Sequence, residues 1–94
     1  MDAAGFELPP DRLADLLLRL RRVEGQVRGL QRMVEEGRGC AEVVTQFAAA
    51  IRALEHAGYR YFSSAMAECL ADPERAAAEG YSPERLEELF LRLS

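Results

Sequence analysis

Residues 11–36 read DRLADLLLRLRRVEGQVRGLQRMVEE. Within them Leu13, Leu16, Leu20, Val23, Val27, Leu30 and Val34 recur at alternating spacings of three and four. That is the period of an apolar seam on a helix that packs against other helices. Pro9-Pro10-Asp11 punctuates the start, and Gly37-Arg38-Gly39 ends the helix and turns the chain. Residues 1–9 read as a loose arm.

A second helical segment runs from Cys40 to Leu70. Cys40, Val43, Phe47, Ile51, Leu54, Tyr61, Ala65 and Cys69 fall on one broad face. Gly58 weakens this helix in the middle without having to break it. Asp72-Pro73 marks its stop. Residues 73–79 are expected to form a turn of helix, ended by Gly80. Ser82 then caps a last short helix with Pro83 at its first position. Leu86, Leu89, Phe90 and Leu93 give that helix one apolar edge. No repeat, low-complexity tract or strand signal occurs. The expected fold is all-α in a single domain spanning residues 1–94.

Ninety-four residues bury little core alone, so association with further copies would help the fold. The net charge of −4 argues weakly against nucleic acid, but its distribution argues the other way. Residues 19–38 carry six arginines against three acids, whereas residues 70–94 carry three arginines against six acids. Every basic residue is arginine, the side chain suited to bidentate phosphate contact. The start, Met1 to Leu8, holds acids and no apolar run, so it is not a signal peptide. No stretch approaches the roughly 20 apolar residues that span a membrane. A cytoplasmic location is expected, and there two cysteines point to metal or redox chemistry rather than a structural disulfide.

Two constellations carry chemistry. On the first helix Arg21, Arg28 and Arg32 lie within about 40° of one another, and Arg22, Gly25 and Gly29 continue that face off the leucine seam. An arginine stripe flanked by glycines can approach a phosphate backbone closely. A solvated helix face balanced by Glu24, Glu35 and Glu36 has the same composition. The second constellation is the thiol pair Cys40 and Cys69, 29 positions apart on one helix. They point the same way, yet a straight helix holds them roughly 40 Å apart. They can meet only if a second copy packs antiparallel, so that Cys40 of one subunit faces Cys69 of the other. Thiolates in such a pair suit Cu(I), or reaction with oxidants and sulfane sulfur. Two buried cysteines acting as small apolar residues is the structural alternative. No Cys-x-x-Cys occurs, and the single histidine, His56, lies 13 residues from Cys69. No nucleophile–base pair or paired-carboxylate pocket is spaced for catalysis, so the protein is not expected to be an enzyme.

The run Arg19-Leu20-Arg21-Arg22-Val23-Glu24-Gly25-Gln26-Val27-Arg28-Gly29-Leu30-Gln31-Arg32-Met33-Val34 resembles the copper-sensing operon repressors and their relatives, the CsoR/RcnR-like family. Cys40-Ala41-Glu42-Val43-Val44-Thr45-Gln46 resembles the opening of that family's second helix, and the match covers about residues 12–70. The resemblance implies three helices per chain, a dimer built as an antiparallel four-helix bundle, and a dimer-of-dimers tetramer. It implies repression of transcription through operator DNA, with release by an inducer. Arg21, Arg22, Arg28, Arg32 and, on the second helix, Arg52 stand where such proteins meet DNA.

Copper sensors of this family use a cysteine early in helix two, then a histidine and a cysteine one turn apart. The cysteine positions are Cys40 and Cys69 here, but the histidine position is Ala65. A tyrosine often found before the first cysteine is Gly39. A Cys–Cys pattern without the imidazole resembles the persulfide-sensing, CstR-like branch. That implies Cys40 as the attacking thiol and Cys69 of the partner as the resolving thiol. The N-terminus of the helix that Cys40 opens supplies positive potential that favours a thiolate. No cofactor is required on this reading. A Cu(I)-responsive repressor using the same two thiolates is the alternative, with Cys40 and Cys69 as metal ligands. A helical interaction protein with structural cysteines is the alternative of another class. Expected partners are operator DNA, further copies of the chain and a small inducer, with no membrane.

Overall fold

The computed structural model describes residues 7–92. Four helices follow one another: α1 (Pro10–Glu35), α2 (Cys40–Ala71), α3 (Pro73–Ala78) and α4 (Pro83–Leu91). No strand occurs among the described residues, and the chain is all-helical as its composition and periodicity predict. Residues 1–6, most of the expected arm, and Leu93 lie outside the described residues. Residues 7–9 have no regular structure, and Leu8 and Pro9 are half-buried.

α1 and α2 form a long antiparallel hairpin. Pro10 occupies the first helical turn of α1, where a missing N–H costs nothing. Gly37 takes φ +68° just past the end of α1. Next to it the Arg38 N–H donates to the Met33 carbonyl at 3.0 Å, which satisfies an end carbonyl and reverses the chain. α2 then runs 32 residues without interruption, straight through Gly58.

The leucine seam of α1 splits into two stripes. Val23 and Leu30 are buried, and Leu16 is half-buried, against α2. Leu13, Leu20, Val27 and Val34 remain 39–59% exposed. On α2 the side facing α1 is built of small residues one heptad apart: Ala50, Ala57 and Ser64 are all buried. Small against large is how two helices approach closely. The large residues of α2, namely Phe47, Ile51, Leu54 and Tyr61, stay 43–55% exposed. One half of the seven-residue repeat thus packs within the chain and the other half is left exposed.

The count of three helices is corrected to four, because residues 73–78 form a helix of their own. Asp72 ends α2 and its carboxylate accepts the Arg75 backbone N–H at 3.2 Å, while Pro73 fixes the first turn. Gly80, at φ +88°, turns the chain back. Ser82 Oγ accepts the Arg85 N–H at 3.1 Å and starts α4. α4 folds onto α2 through Phe90, which stacks on Phe62 at 4.3 Å between ring centres and meets Tyr59 edge-on at 6.0 Å. Ala65, Cys69, Ala76 and Leu86 make the small buried core beneath this α3–α4 cap.

Ser82→Ala removes the cap of α4 at a cost of roughly 1 kcal/mol. The expected outcome is faster labelling of Cys69 by a thiol-specific reagent, with the labelling of Cys40 unchanged. Peptide-resolved mass spectrometry of the labelled chain measures both rates.

Candidate functional site

The two cysteines are both free and sit at opposite ends of α2. Cys40 is the first residue of the helix and is exposed, whereas Cys69 lies in the last turn and is 4% exposed. The unbroken helix separates them by roughly 44 Å at 1.5 Å of rise per residue. Within one chain they do not meet. Sharing a helical face has not given them one environment: Cys69 is covered by α3 and α4, and Cys40 stands clear of both.

Arg38 precedes the first thiol, but carboxylates hold it. Its Nη2 donates to Glu42 Oε2 at 2.7 Å, and its Nη1 lies 3.5 Å from Glu36. Hydrogen bonding to Arg38 holds the Glu42 carboxyl below its usual range, and the same bond raises Arg38. The Arg38 charge is thus engaged by two carboxylates, and Cys40 stands at the N-terminus of α2. A Cβ at Gly39 would come within 3.8 Å of Glu42 Oε1, so Glu42 borders the space that a side chain at 39 would take.

Around the second thiol the structure builds a cavity of about 130 Å³. Ala65, Cys69, Ala76, Leu86 and Leu89 form its apolar wall, and Tyr61 and Tyr81 stand at its side. Burial, with Tyr81 adding to it, pushes the Tyr61 phenol up. Ala65 is 3% exposed and presents a methyl group to this space one turn before Cys69. Glu7, Glu68, Asp72 and Glu79 also line it, against one basic residue, Arg75, which is paired with Glu79 at 3.5 Å. Among the described residues no group of three His, Cys, Asp or Glu is placed to hold a metal ion.

The arginines are distributed along the hairpin. Arg21, Arg22, Arg28 and Arg32 lie on α1 and Arg52 on α2, all of them exposed. Arg28 has a loose contact with Glu24 at 3.9 Å, one helical turn away. A Cβ built at Gly25 or at Gly29 meets nothing within 4 Å, so neither glycine is required by packing within this chain.

A polar clasp between α1 and α2 escaped the sequence reading. Asp15 accepts from Arg19 and from Arg60, both at 3.0 Å. Arg19 Nη1 also lies 3.3 Å from His56 Nδ1, and Arg12 donates to Ser64 Oγ at 3.2 Å. Arg12, Asp15 and Arg19 face Ser64, Arg60 and His56 in antiparallel order, which fixes the hairpin's register. Period-four spacing on each helix was visible in the sequence, but the pairing across 37 to 52 residues was not. His56 thus belongs to the clasp and stands far from either thiol along α2.

The family described as metal-sensitive transcriptional repressor has a sequence model that matches residues 12–92 of the chain. The chain is 45% identical over 62 residues to the copper-sensing transcriptional repressor RicR of Mycobacterium tuberculosis, covering 66% of this chain and 62% of RicR. It is 39% identical over 54 residues to the copper-sensing transcriptional repressor CsoR of Bacillus subtilis, covering 57% of this chain and 54% of that protein. The matched stretch spans less than two thirds of either relative's own length. The fold is similar to the crystal structure of the copper-sensing repressor CsoR with Cu(I) from Geobacillus thermodenitrificans, with a TM-score of 0.77 and 28% identity over 94% of this chain and 92% of that one. These relatives are described as repressors. Among the described residues no helix is long and apolar enough to cross a membrane.

The clasp predicts a pH dependence. Hydrogen bonds from Arg19 and then Arg60 depress the Asp15 carboxyl below its ordinary value of 3.8. A depressed carboxyl contributes stability that is present above about pH 4 and is lost as the pH falls through its folded value. Asp15→Ala should therefore lower stability at neutral pH and flatten its dependence on pH below 4. Denaturant unfolding at pH 7 and pH 3 measures both effects.

Proposed function

The chain belongs to the metal-sensitive transcriptional repressor family, and on that premise we propose that it represses transcription by binding operator DNA as an antiparallel dimer, itself paired into a tetramer. Its inducer acts on Cys40 of one subunit and Cys69 of the other. The exposed stripes Leu13–Val34 on α1 and Phe47–Tyr61 on α2 support assembly, since so much apolar surface on a small chain calls for a second copy. Open arginines beside unobstructed glycines support phosphate contact.

The inducer in this reading is reactive sulfur. The observation that carries it is Ala65, a buried methyl group where the resemblance puts an imidazole, next to a buried free thiol. The Cys40 thiolate attacks the outer sulfur of an organic persulfide R–S–SH, forming Cys40–S–SH and expelling R–S⁻. The Cys69 thiolate of the other subunit attacks the inner sulfur of that persulfide. A disulfide forms and HS⁻ leaves. The two thiols are oxidised by two electrons and the donor is reduced. The new covalent bridge fixes one bundle geometry and weakens the fit of the arginines to the operator.

Cu(I) is the second reading, favoured by relatives described as copper-sensing. The residues of one chain do not fit it, because the two sulfurs are a helix length apart, residue 65 is an alanine, and no group of three His, Cys, Asp or Glu among the described residues is placed to hold a metal ion. Two thiolates from two copies would give a linear site at most. The two inducers separate in one experiment on the reduced protein, with operator binding and a non-reducing gel as readouts. Persulfide should cross-link wild type and release it, leave Cys40→Ala on the operator, and add sulfur to Cys69→Ala without a cross-link. Release by Cu(I) with no sulfur uptake would establish the copper reading instead.

The arginine surface has its own test. Replacing Arg21, Arg28 and Arg32 together by alanine should abolish tight operator binding. It should also flatten the slope of log affinity against log salt by about 0.9 per phosphate contact removed. An unchanged slope would show that these side chains do not meet the backbone.

A further inference from the structure

The cavity beside Cys69 has a composition that the two-thiol chemistry does not require. A thiol that only has to be reached by its partner needs access, not an apolar chamber. Its volume of about 130 Å³ is slightly below the roughly 150 Å³ of a dry protein cavity that takes up benzene. It therefore suits an organic body of about four to six heavy atoms. The wall at Ala65, Ala76 and Leu86 is apolar and each of those residues is buried. Four carboxylate residues, Glu7, Glu68, Asp72 and Glu79, surround this space, and the single arginine is already paired with Glu79. An anion arriving here meets like charge, and a charged group moved into the apolar wall loses its hydration.

We infer that this cavity seats the organic group of the sulfur donor, and that the inducer is a persulfide whose R group is small, apolar and uncharged. This rests on the reactive-sulfur reading of the same thiols. With R against Ala65, Ala76 and Leu86, the S–S bond of R–S–SH lies beside the Cys69 thiol, where Cys40 of the other subunit arrives. Cys40 takes the outer sulfur, R–S⁻ departs past the acidic residues, and Cys69 then closes the disulfide with loss of HS⁻. The acidic surround favours departure of the thiolate product for the same reason that it disfavours anionic donors. The absence of a side chain beyond Cβ at residue 65 gains a purpose: it is the space the donor fills.

Two donors of matched size separate charge from bulk: 4-methylpentyl persulfide, and 3-carboxypropyl persulfide with its terminal carboxylate in place of the branched end. The reduced full-length protein is mixed with each, and cross-linking is followed by mass spectrometry. The neutral donor should react roughly tenfold faster at low ionic strength, with the ratio shrinking as salt is added. Glu7→Gln combined with Glu68→Gln, which alters the charged surround and leaves the apolar wall alone, should bring the ratio toward one. Ala65→Leu should slow 4-methylpentyl persulfide several-fold more than it slows inorganic hydrogen disulfide, which has no organic group. Equal rates for the matched donors in wild type would overturn the selectivity and leave the thiol chemistry standing. Sulfur uptake from none of the three donors would overturn the reactive-sulfur reading and this inference with it.

Discussion

One straight helix of 32 residues keeps Cys40 and Cys69 apart, and the rest of the structure is arranged around that separation. A helix cannot bend its two ends together without breaking backbone hydrogen bonds, and α2 contains no proline to break them. Gly58 lowers its propensity without interrupting it, because packing on α1 through Ala50, Ala57 and Ser64 holds both flanks. The thiols therefore cannot act together within one chain. Any chemistry that used both would have to be shared between copies.

The packing of the hairpin leaves much apolar surface uncovered. By giving its small residues to α1, α2 keeps Phe47, Ile51, Leu54 and Tyr61 outward, and α1 does the same with Leu13, Leu20, Val27 and Val34. The polar clasp of Asp15, Arg19, Arg60 and His56 adds register rather than much stability, since exposed ion pairs are worth little individually. Its value is directional: slipping the hairpin by one turn would separate the partners and move the small-residue side out of line with Val23 and Leu30.

The α3–α4 cap gives the two ends of α2 different chemistry. At one end Cys40 has water, a helix N-terminus and an ion pair that occupies Arg38. At the other, Cys69 has alanines, leucines and a cavity. One thiol is open to solution and the other is enclosed. The arginines on the hairpin lie outside both environments.

Much of this was legible in the chain itself. Helix bounds followed from Pro10, Gly37, Asp72-Pro73, Ser82-Pro83 and the three–four spacing, because caps and breakers act locally. The thiol separation followed from counting residues along a helix. The family run at Arg19–Val34 carried the repressor reading. Tertiary structure decided the rest, because it depends on which surfaces meet. Residues 73–78 became a helix through one Asp72 side-chain bond and a proline, on a segment too short for periodicity to register. The leucine seam could not reveal which half faces its own chain, since both halves share one period. Asp15 and Arg60 are neighbours only once the hairpin closes. Burial of Cys69 and the cavity beside it arise where α3 and α4 fold back over the end of α2, a contact that no local pattern in the sequence encodes.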